Sequence, residues 1–516
     1  MRFSWIFYSK THTFLILLLR LCKIYTVFHP KDHTSTILVI WEFSTTYTPF
    51  QQPQQPYSKP LQNGVKIHSV WLILQKNKET FAHIKDIHYL CSMKRTNDIE
   101  IMAPVGCWES LAAAIEAGAT SVYFGIEYLN MRSRSSANFT TQDLHTIVER
   151  CQAVGVKTYL TLNTVMYPED LPLMREIVDH AKAANISAII ASDIAALQYA
   201  YQSGVEVHLS TQLNIANTEA LKFYAQYADV VVLARELNMD QVASIYRDIQ
   251  QQNIRGPKGE LIRIEMFCHG ALCMAVSGKC YLSLNNLGAS ANRGACMQIC
   301  RRGYVVKDKE SDLELEVDNQ YIMSPKDLKT IHFLNKMLDA GVRVLKIEGR
   351  ARGAEYVKTV VECYKEAIEL WQQGDEQWAV GDEAIEAKIQ EWNTRLARVF
   401  NRGFWDGYYQ GQKLGEWTHK YGSRATRKKV FAGKCTNFFK NISVAEFYLE
   451  ATKEVREGDE LLITGETTGA YEVVAHDMHD AKGNPQSVIE KGNYFAIKTE
   501  KTIRRGDRLF LLKVEE

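Results

Sequence analysis

The sequence carries almost no net charge. Its 61 lysines and arginines are balanced by 60 aspartates and glutamates, which gives a formal charge of +1 at pH 7. Any nucleic-acid contact must therefore come from a local patch of positive charge. The sequence also lacks a run of about 20 apolar residues, the length that crosses a bilayer. Its most apolar run, Phe14–Leu19, ends at Arg20. We expect no membrane contact and a cytoplasmic location.

Common catalytic and ligand-binding motifs are missing as well. The sequence has neither a G-x-S-x-G elbow nor an H-E-x-x-H helix, which mark many hydrolases. No glycine-rich phosphate fingerprint follows the first predicted strand, and this argues against an open nucleotide-binding sheet. The absence of the two hydrolase motifs weakens an interpretation of the chain as a peptidase.

Five of the eleven cysteines, in contrast, lie in one stretch from Glu265 to Tyr304. Buried structural cysteines behave as small isolated hydrophobes, so packing does not explain the clustering. Disulfide sets belong to small secreted domains, and this chain has 516 residues. A metal or cluster site is therefore favoured. The five cysteines are Cys268, Cys273, Cys280, Cys296 and Cys300.

The spacing of these cysteines favours an iron–sulfur cluster over zinc. Only Cys296 and Cys300, with three residues between them, have the spacing of a zinc knuckle. A [4Fe–4S] cluster also needs four thiolates but accepts them from a looser wrap of chain, which suits Cys273, Cys280, Cys296 and Cys300. Cys268 lies in an apolar, strand-like run and is predicted to be a buried thiol.

The residues around the cysteines resemble the signature of the U32 peptidase family, also called the collagenase-like proteases. The resemblance covers the chain from about Ile99 to the C-terminus. The matching segments are EMFCHGALC ending at Cys273, SGKCYLS around Cys280, NRGACMQICR ending at Arg301, KIEGR ending at Arg350 and NRGFWDG ending at Gly407.

This resemblance implies a function in RNA modification. Several members of the family are iron–sulfur proteins that hydroxylate RNA or a quinone precursor without molecular oxygen. The longer members, which have an extra C-terminal domain, resemble enzymes that hydroxylate the wobble uridine of tRNA to 5-hydroxyuridine with prephenate as oxygen source. The resemblance thus implies a tRNA hydroxylase with a [4Fe–4S] cofactor and a small dicarboxylate co-substrate. Two alternatives stay open, a peptidase and a non-catalytic iron–sulfur scaffold.

From Ile99 onward, short apolar runs alternate with helical patterns. Caps at Asp193, Asn217 and Asn238 precede three of the helical segments. Eight runs in β-α alternation predict a (β/α)8 barrel, with an open doubly wound sheet as the alternative. The eight runs are Ile99–Pro104, Ser121–Gly125, Val156–Asn163, Ala188–Ser192, Glu206–Thr211, Val230–Arg235, Ile262–Gly270 and Val342–Arg350.

Catalytic groups of such a barrel lie at the carboxyl ends of its strands. The cysteine stretch begins where the seventh run ends, so it is predicted to lie over the same mouth as the polar residues at the strand ends. We take Arg235, Arg350, Glu348 and His269 as candidate catalytic residues. The two arginines suit a dicarboxylate. Glu348 could instead form a structural ion pair with Lys346 or Arg350, and His269 could be an ordinary buried histidine. The other strand-end candidates are Asn163, Asp193, Ser210, Thr211, Gln212 and Glu236.

The composition divides the chain into three parts. Residues 1–92 contain one glycine and no clear period, and we expect untranslated upstream sequence or, failing that, a disordered tail. Ser35–Phe43 could form a strand, but no partner is evident. Residues 93–427 form the predicted barrel domain. Residues 428–516 alternate strands with turn signals and predict a small all-β domain, which the resemblance implies is a barrel like that of elongation factors.

The join between the last two parts is basic and aromatic. Trp417–Ala445 has no acidic residue and includes Arg427, Lys428 and Lys429. Positive charge with aromatic faces suits a single-stranded anticodon loop, so these three residues are predicted to bind tRNA. The alternative is a solvated linker whose aromatic residues belong to the β core.

Overall fold

The computed structural model describes residues 23–28, 35–40, 98–134, 138–305, 310, 322–374, 378 and 383–515. The chain forms two compact units, residues 1–91 and residues 92–516. In the first unit Lys23–Phe28 and Ser35–Ile40 pair as antiparallel strands. The strand predicted from Ser35 therefore has a partner, which the sequence did not reveal. The remaining expectations for residues 1–92 lie outside the described residues.

The second unit begins with a closed parallel barrel. Each strand pairs with the next along the chain, and the eighth pairs with both the seventh and the first. Parallel strands are covered on both faces and read as continuous apolar runs, which is why all eight runs correspond to strands. The predicted (β/α)8 fold is confirmed. The strands are β1 Glu100–Pro104, β2 Ser121–Phe124, β3 Lys157–Leu162, β4 Ala188–Ala191, β5 Val207–Leu209, β6 Val230–Val232, β7 Arg263–Gly270 and β8 Val342–Ile347.

Helices surround this barrel. The Asp193, Asn217 and Asn238 side chains each accept a hydrogen bond from a backbone N–H in the first helical turn, so the three predicted caps are confirmed. Within the described part of the chain, no helix combines the length and the apolar character needed to cross a membrane. The helices are α1 Trp108–Ala117, α2 Asp143–Gln152, α3 Leu171–Ala183, α4 Ile194–Gln202, α5 Thr218–Ala225, α6 Met239–Gln251, α7 Leu282–Leu287, α8 Leu334–Asp339, α9 Ala354–Gln372 and α10 Glu383–Arg398.

The barrel interior holds a buried group of charges. Lys346 Nζ lies 2.6 Å from Glu265 Oε1. His208 Nδ1 lies 3.7 Å from the other oxygen of that carboxylate. Burial raises the pKa of Glu265, but Lys346 and His208 outweigh it and the pKa is lowered overall. The ionised form of Glu265 is therefore stabilised by Lys346 and His208.

Replacing Lys346 by methionine should strongly destabilise the barrel. The substitution leaves the Glu265 carboxylate buried without its closest cation, a change that typically costs about 3–5 kcal/mol. The urea midpoint of unfolding, followed by circular dichroism, should fall. A Lys346→Met/Glu265→Leu double variant removes both charges and should regain much of the loss. A single variant as stable as the parent would contradict this account of the interior.

The C-terminal region is all β, as predicted. Seven antiparallel strands form one sheet, and Glu454–Arg456 pairs with Val488–Glu490 beside it. In order across the sheet the seven are Gly469–Val474, Glu460–Gly465, Arg508–Val514, Arg427–Phe439, Val444–Leu449, Tyr494–Lys498 and His479–Asp480.

This sheet packs against the helices of the barrel. Leu462, Ala470 and Phe510 form a buried cluster with Ala113 of α1 and Ala354 of α9. Gly469 lies so close to α1 that an added Cβ would be 2.9 Å from the Ala113 nitrogen. The β region is therefore fixed to the outside of the barrel on its α1–α9 side. Two short strands, Asp327–Lys329 and Phe404–Trp405, extend the barrel sheet beyond β7.

Candidate active site at the barrel mouth

A cavity of about 210 Å³ opens at the carboxyl ends of the strands. Its wall includes all four cysteines predicted to bind a cluster and three of the four candidate catalytic residues. The four cysteines are Cys273, Cys280, Cys296 and Cys300, and the three candidates are Arg235, Glu348 and Arg350. Other lining residues are Tyr123, Arg132, Thr161, Asn163, Ser210, Thr211, Gln212, Phe267 and Lys346.

The cysteine-rich insertion is held over the mouth by hydrogen bonds to the loops of the barrel. Arg293 donates to the Val165 carbonyl at 2.9 Å and binds the Asp170 carboxylate, both in the loop region after β3. Asn214, in the loop after β5, donates to the Ser277 carbonyl at 2.9 Å. These contacts attach the insertion, and the thiols it carries, to the barrel at two points.

A common backbone turn precedes three of the four cysteines. Two residues before each of them, the chain adopts the left-handed conformation, with φ of 72° at Gly278, 82° at Gly294 and 50° at Gln298. At Gly294 the space is also restricted, because a Cβ there would lie 2.5 Å from the Asn130 carbonyl oxygen. Gly294 thus lets the insertion approach the loop after β2.

Alanine substitutions at two glycines, Gly288 and Gly294, should show how much the close packing at Gly294 matters for stability. Gly288 also has a positive φ of 62°, but an added Cβ would meet nothing within 4 Å. Gly288→Ala should therefore cost only the left-handed conformation, about 1–2 kcal/mol. Gly294→Ala carries the same cost and a backbone clash, so its Tm should fall further. Equal Tm values for the two variants would contradict the close packing at Gly294.

The acidic group of the cavity, Glu348, is surrounded by arginines. Arg132 Nη2 lies 2.8 Å from Glu348 Oε1. Burial raises the pKa of Glu348, but Arg132, Arg235 and Arg350 outweigh it and lower the pKa to about 2. Glu348 is thus ionised at neutral pH and cannot act as a proton donor there. The ion pair considered for it does exist, but the partner is Arg132 rather than Lys346 or Arg350.

Arg350 and Arg235 are held differently. Arg350 is buried, and its Nη1 donates to Thr161 Oγ1 at 2.8 Å. Burial lowers its pKa to about 10, so it is still a cation at pH 7. The guanidinium carbon of Arg235 lies 3.9 Å from the centre of the Phe267 ring, and its buried Nε has no hydrogen-bond acceptor among the described residues. Three guanidinium groups around one carboxylate give this part of the cavity a net positive charge.

The fourth candidate catalytic residue, His269, does not line the cavity. His269 is buried beside Tyr356, Tyr364 and Phe404 rather than in the cavity wall. Burial and the charge of Lys329 lower its pKa to about 3, so it is neutral at pH 7. This position agrees with an ordinary buried histidine.

Two further strand-end residues are also outside the wall. The Asp193 carboxylate caps α4 and accepts a second hydrogen bond from the Met166 N–H. Glu236 is exposed.

The remaining cysteines near the site are core thiols. Cys268 is fully buried and its Sγ donates to the Lys346 carbonyl at 3.4 Å. Burial raises its pKa. Cys363 is buried on α9, where burial raises its pKa to about 12. Neither of these cysteines lines the cavity.

The four thiols that line the cavity are spread around its wall and do not converge on a single ion-sized position. Across the described part of the chain, no three Cys, His, Asp or Glu side chains are placed to hold a single metal ion. Burial raises the pKa of Cys300, Arg301 lowers it, and the other three cysteines raise it again. The other three thiols are therefore near enough to Cys300 to affect its ionisation.

The residues predicted to bind RNA belong to the C-terminal sheet. Arg427 forms ion pairs with Glu460 at 2.7 Å and with Glu472 at 2.9 Å. Lys429 Nζ lies 2.7 Å from Glu355, and Lys428 is exposed. Arg427–Phe439 of the basic segment is thus a strand, and two of the three predicted contacts already have carboxylate partners.

Sequence reasoning missed several residues of the cavity wall. Arg132 lies eight residues after the end of β2, whereas Arg350 lies three residues after the end of β8, so a rule limited to the strand ends did not reach Arg132. Tyr123 and Thr161 lie inside strands, and only the tertiary fold shows that they face the mouth.

The fold and the cavity define a (β/α)8-barrel protein with a cysteine-rich insertion over its mouth. The chain belongs to peptidase family U32, whose family model matches residues 106–419. The resemblance noted in the sequence is confirmed.

Relatives with two kinds of name are similar to this chain. A protein of Porphyromonas gingivalis named collagenase is 62% identical over 80% of this chain and 98% of that protein. The tRNA hydroxylation protein P1 of Bacillus subtilis is 30% identical over 75% of this chain and 89% of that protein. The 23S rRNA 5-hydroxycytidine C2501 synthase of Escherichia coli is 33% identical over 52% of this chain and 39% of that protein.

Proposed function

We propose that this chain is an iron–sulfur enzyme that hydroxylates a pyrimidine of RNA, specifically the wobble uridine of tRNA. The observation that carries the proposal is that four cysteines share one cavity with Arg132, Arg235 and Arg350. A cluster site and an anion site are thereby adjacent. Two relatives named for hydroxylation of tRNA or synthesis of hydroxycytidine in rRNA support RNA as the substrate class.

The donor set of the cavity fits an iron–sulfur cluster. Cys273, Cys280, Cys296 and Cys300 would hold it, since four thiolates around a space are the ligands that a [4Fe–4S] cluster takes. When bound, the cluster supplies electron transfer or a Lewis-acidic iron next to the substrate. Arg301 lies close enough to Cys300 for its positive charge to offset part of the rise that burial causes in the pKa of that thiol.

The arginines of the cavity suit a small dicarboxylate donor, for which prephenate is our candidate. Arg235 and Arg350 each offer planar N–H donors, the geometry that binds carboxylates. Glu348 holds Arg132 in place and, as an ionised group, contributes no proton. In the overall reaction the C5–H bond of uracil is replaced by C5–OH. The base loses two electrons, and the donor gains them as its C–O bond is cleaved.

A second candidate function is peptide hydrolysis. Two relatives named collagenase are 62% and 55% identical to this chain, and this similarity is the observation that favours it. A cysteine peptidase would use one thiol as nucleophile and leave three neighbouring thiols without a role. RNA hydroxylation accounts for all four.

The test is nucleoside mass spectrometry of tRNA from a strain that lacks this gene. We expect 5-hydroxyuridine derivatives to disappear in the deletion strain and to return when the parent gene is restored. Unchanged levels in a strain without a redundant pathway would reject the tRNA proposal. Cleavage of gelatin by the purified protein, abolished by a single cysteine substitution, would favour the peptidase instead.

A further inference from the structure

A second pocket, which we call the basic pocket, opens beside the cysteine cavity. It has a volume of about 490 Å³. Its wall contains six cationic side chains and, among the described residues, no acidic one. Cys296, Gln298, Arg301, Arg352 and Arg402 line both spaces, so the two lie side by side. The six cations are Arg134, Arg301, Arg302, Arg352, Arg402 and Lys420.

The inner cations of the basic pocket are crowded. Arg402 is buried and its Nη1 lies 3.3 Å from Asp327. The guanidinium carbon of Arg352 lies 3.4 Å from the centre of the Phe400 ring. Burial and the nearby charge of Arg402 lower the pKa of Arg352 to about 10. One carboxylate behind several cations leaves an excess of positive charge, which a bound anion would offset.

The outer cations are placed for an extended ligand. Arg134, Arg302 and Lys420 are exposed, and they come from segments far apart in the sequence. Lys420 pairs with Glu515 at 3.7 Å on the surface, where such pairs contribute little. Tyr421, 67% exposed, also lines the basic pocket. Cations along a groove beside an exposed aromatic ring suit a nucleic-acid strand.

We propose that the basic pocket binds the sugar-phosphate backbone of the RNA strand next to the target pyrimidine. The inference rests on the proposed function. It moves the RNA contact from Arg427 and Lys429, which are paired with carboxylates, to a surface that reaches the cysteine cavity. A dicarboxylate would be satisfied by Arg235 and Arg350 and does not need Arg134, Arg302 and Lys420, which line the basic pocket alone. The backbone would lie in the basic pocket while a flipped or unpaired base enters the cavity.

The test uses three exposed cations, since their loss should not affect folding. The triple variant Arg134→Gln/Arg302→Gln/Lys420→Gln is compared with the parent for binding of an unmodified anticodon stem-loop RNA over a range of salt. Each lost phosphate contact on a single strand lowers the slope of log K against log salt by about 0.7. The triple variant should therefore flatten the slope by about 2, with unchanged Tm and iron content.

The control is Lys182→Gln/Arg247→Gln/Arg505→Gln, which removes three exposed cations that line neither space. Its salt slope should match that of the parent. If the triple variant loses Tm, the Arg134→Gln/Lys420→Gln pair, expected to flatten the slope by about 1.4, replaces it. Tight binding with an unchanged slope in the pocket variant would overturn the inference and leave the proposed function standing. Failure of the parent itself to bind the RNA would overturn both.

Discussion

Replacing Cys280 by alanine should leave the protein without its iron. The thiol lines the same cavity as Cys273, Cys296 and Cys300, and a [4Fe–4S] cluster takes four cysteine ligands. Protein purified without oxygen should fall from about four irons per chain in the parent to a small fraction of that. The parent should show the visible absorption of an iron–sulfur cluster, and the variant should lack it. Iron and sulfide assays measure the effect directly.

Matched controls are available among the other cysteines. Cys363 is buried on α9 and Cys268 donates to the Lys346 carbonyl inside the barrel, so alanine at either position should keep the iron. A Cys280→Ala protein with full iron content would remove Cys280 from the ligand set. Loss of iron from Cys363→Ala at unchanged Tm would be equally damaging, because that thiol does not line the cavity.

The second large effect is expected from Arg350→Lys. Lysine keeps the positive charge but loses the planar fork of donors that reaches Thr161 and Asn130 and binds carboxylates. Removing one preorganised donor from a site commonly lowers turnover by about 10²–10³-fold. We therefore expect RNA hydroxylation to fall at least about 100-fold while the Kd for RNA stays that of the parent.

The control for this variant is Arg343→Lys. Arg343 lies on the same strand, β8, near its opposite end, where it donates to the Leu338 and Val342 carbonyls. The same change there should leave turnover intact. Parental turnover in Arg350→Lys, or a loss of RNA binding equal to the loss of turnover, would show that Arg350 does not bind the small donor.

Much of the fold could be predicted because its signals are local. A parallel strand covered on both faces is apolar throughout, and a capping Asp or Asn bonds to the backbone within three residues of itself. The repeated turns of the C-terminal region are local as well. The backbone N–H groups of Arg456 and Arg504 each donate to the aspartate three residues later, at 2.7 and 2.8 Å. Such patterns are complete within a short stretch of sequence.

The electrostatics could not be predicted in the same way, because the partners are distant in the chain. Arg427 and Lys429 look like available cations in a segment without acidic residues. Their partners Glu355, Glu460 and Glu472 lie between about 30 and 75 positions away and reach them only in the folded sheet. The cations of the basic pocket, by contrast, come together only in the folded chain. They are scattered between residues 134 and 420, and no stretch of sequence shows them together.

We propose that RNA is hydroxylated at the cysteine-lined mouth with a small dicarboxylate as oxygen donor. The most direct measurement supplies protein purified without oxygen, unmodified tRNA and prephenate whose transferable oxygen carries an isotopic label. The account predicts labelled 5-hydroxyuridine in the parent reaction and none with Cys280→Ala. An unmodified tRNA in the presence of a fully loaded cluster, or a hydroxyl group that carries no label, would contradict it.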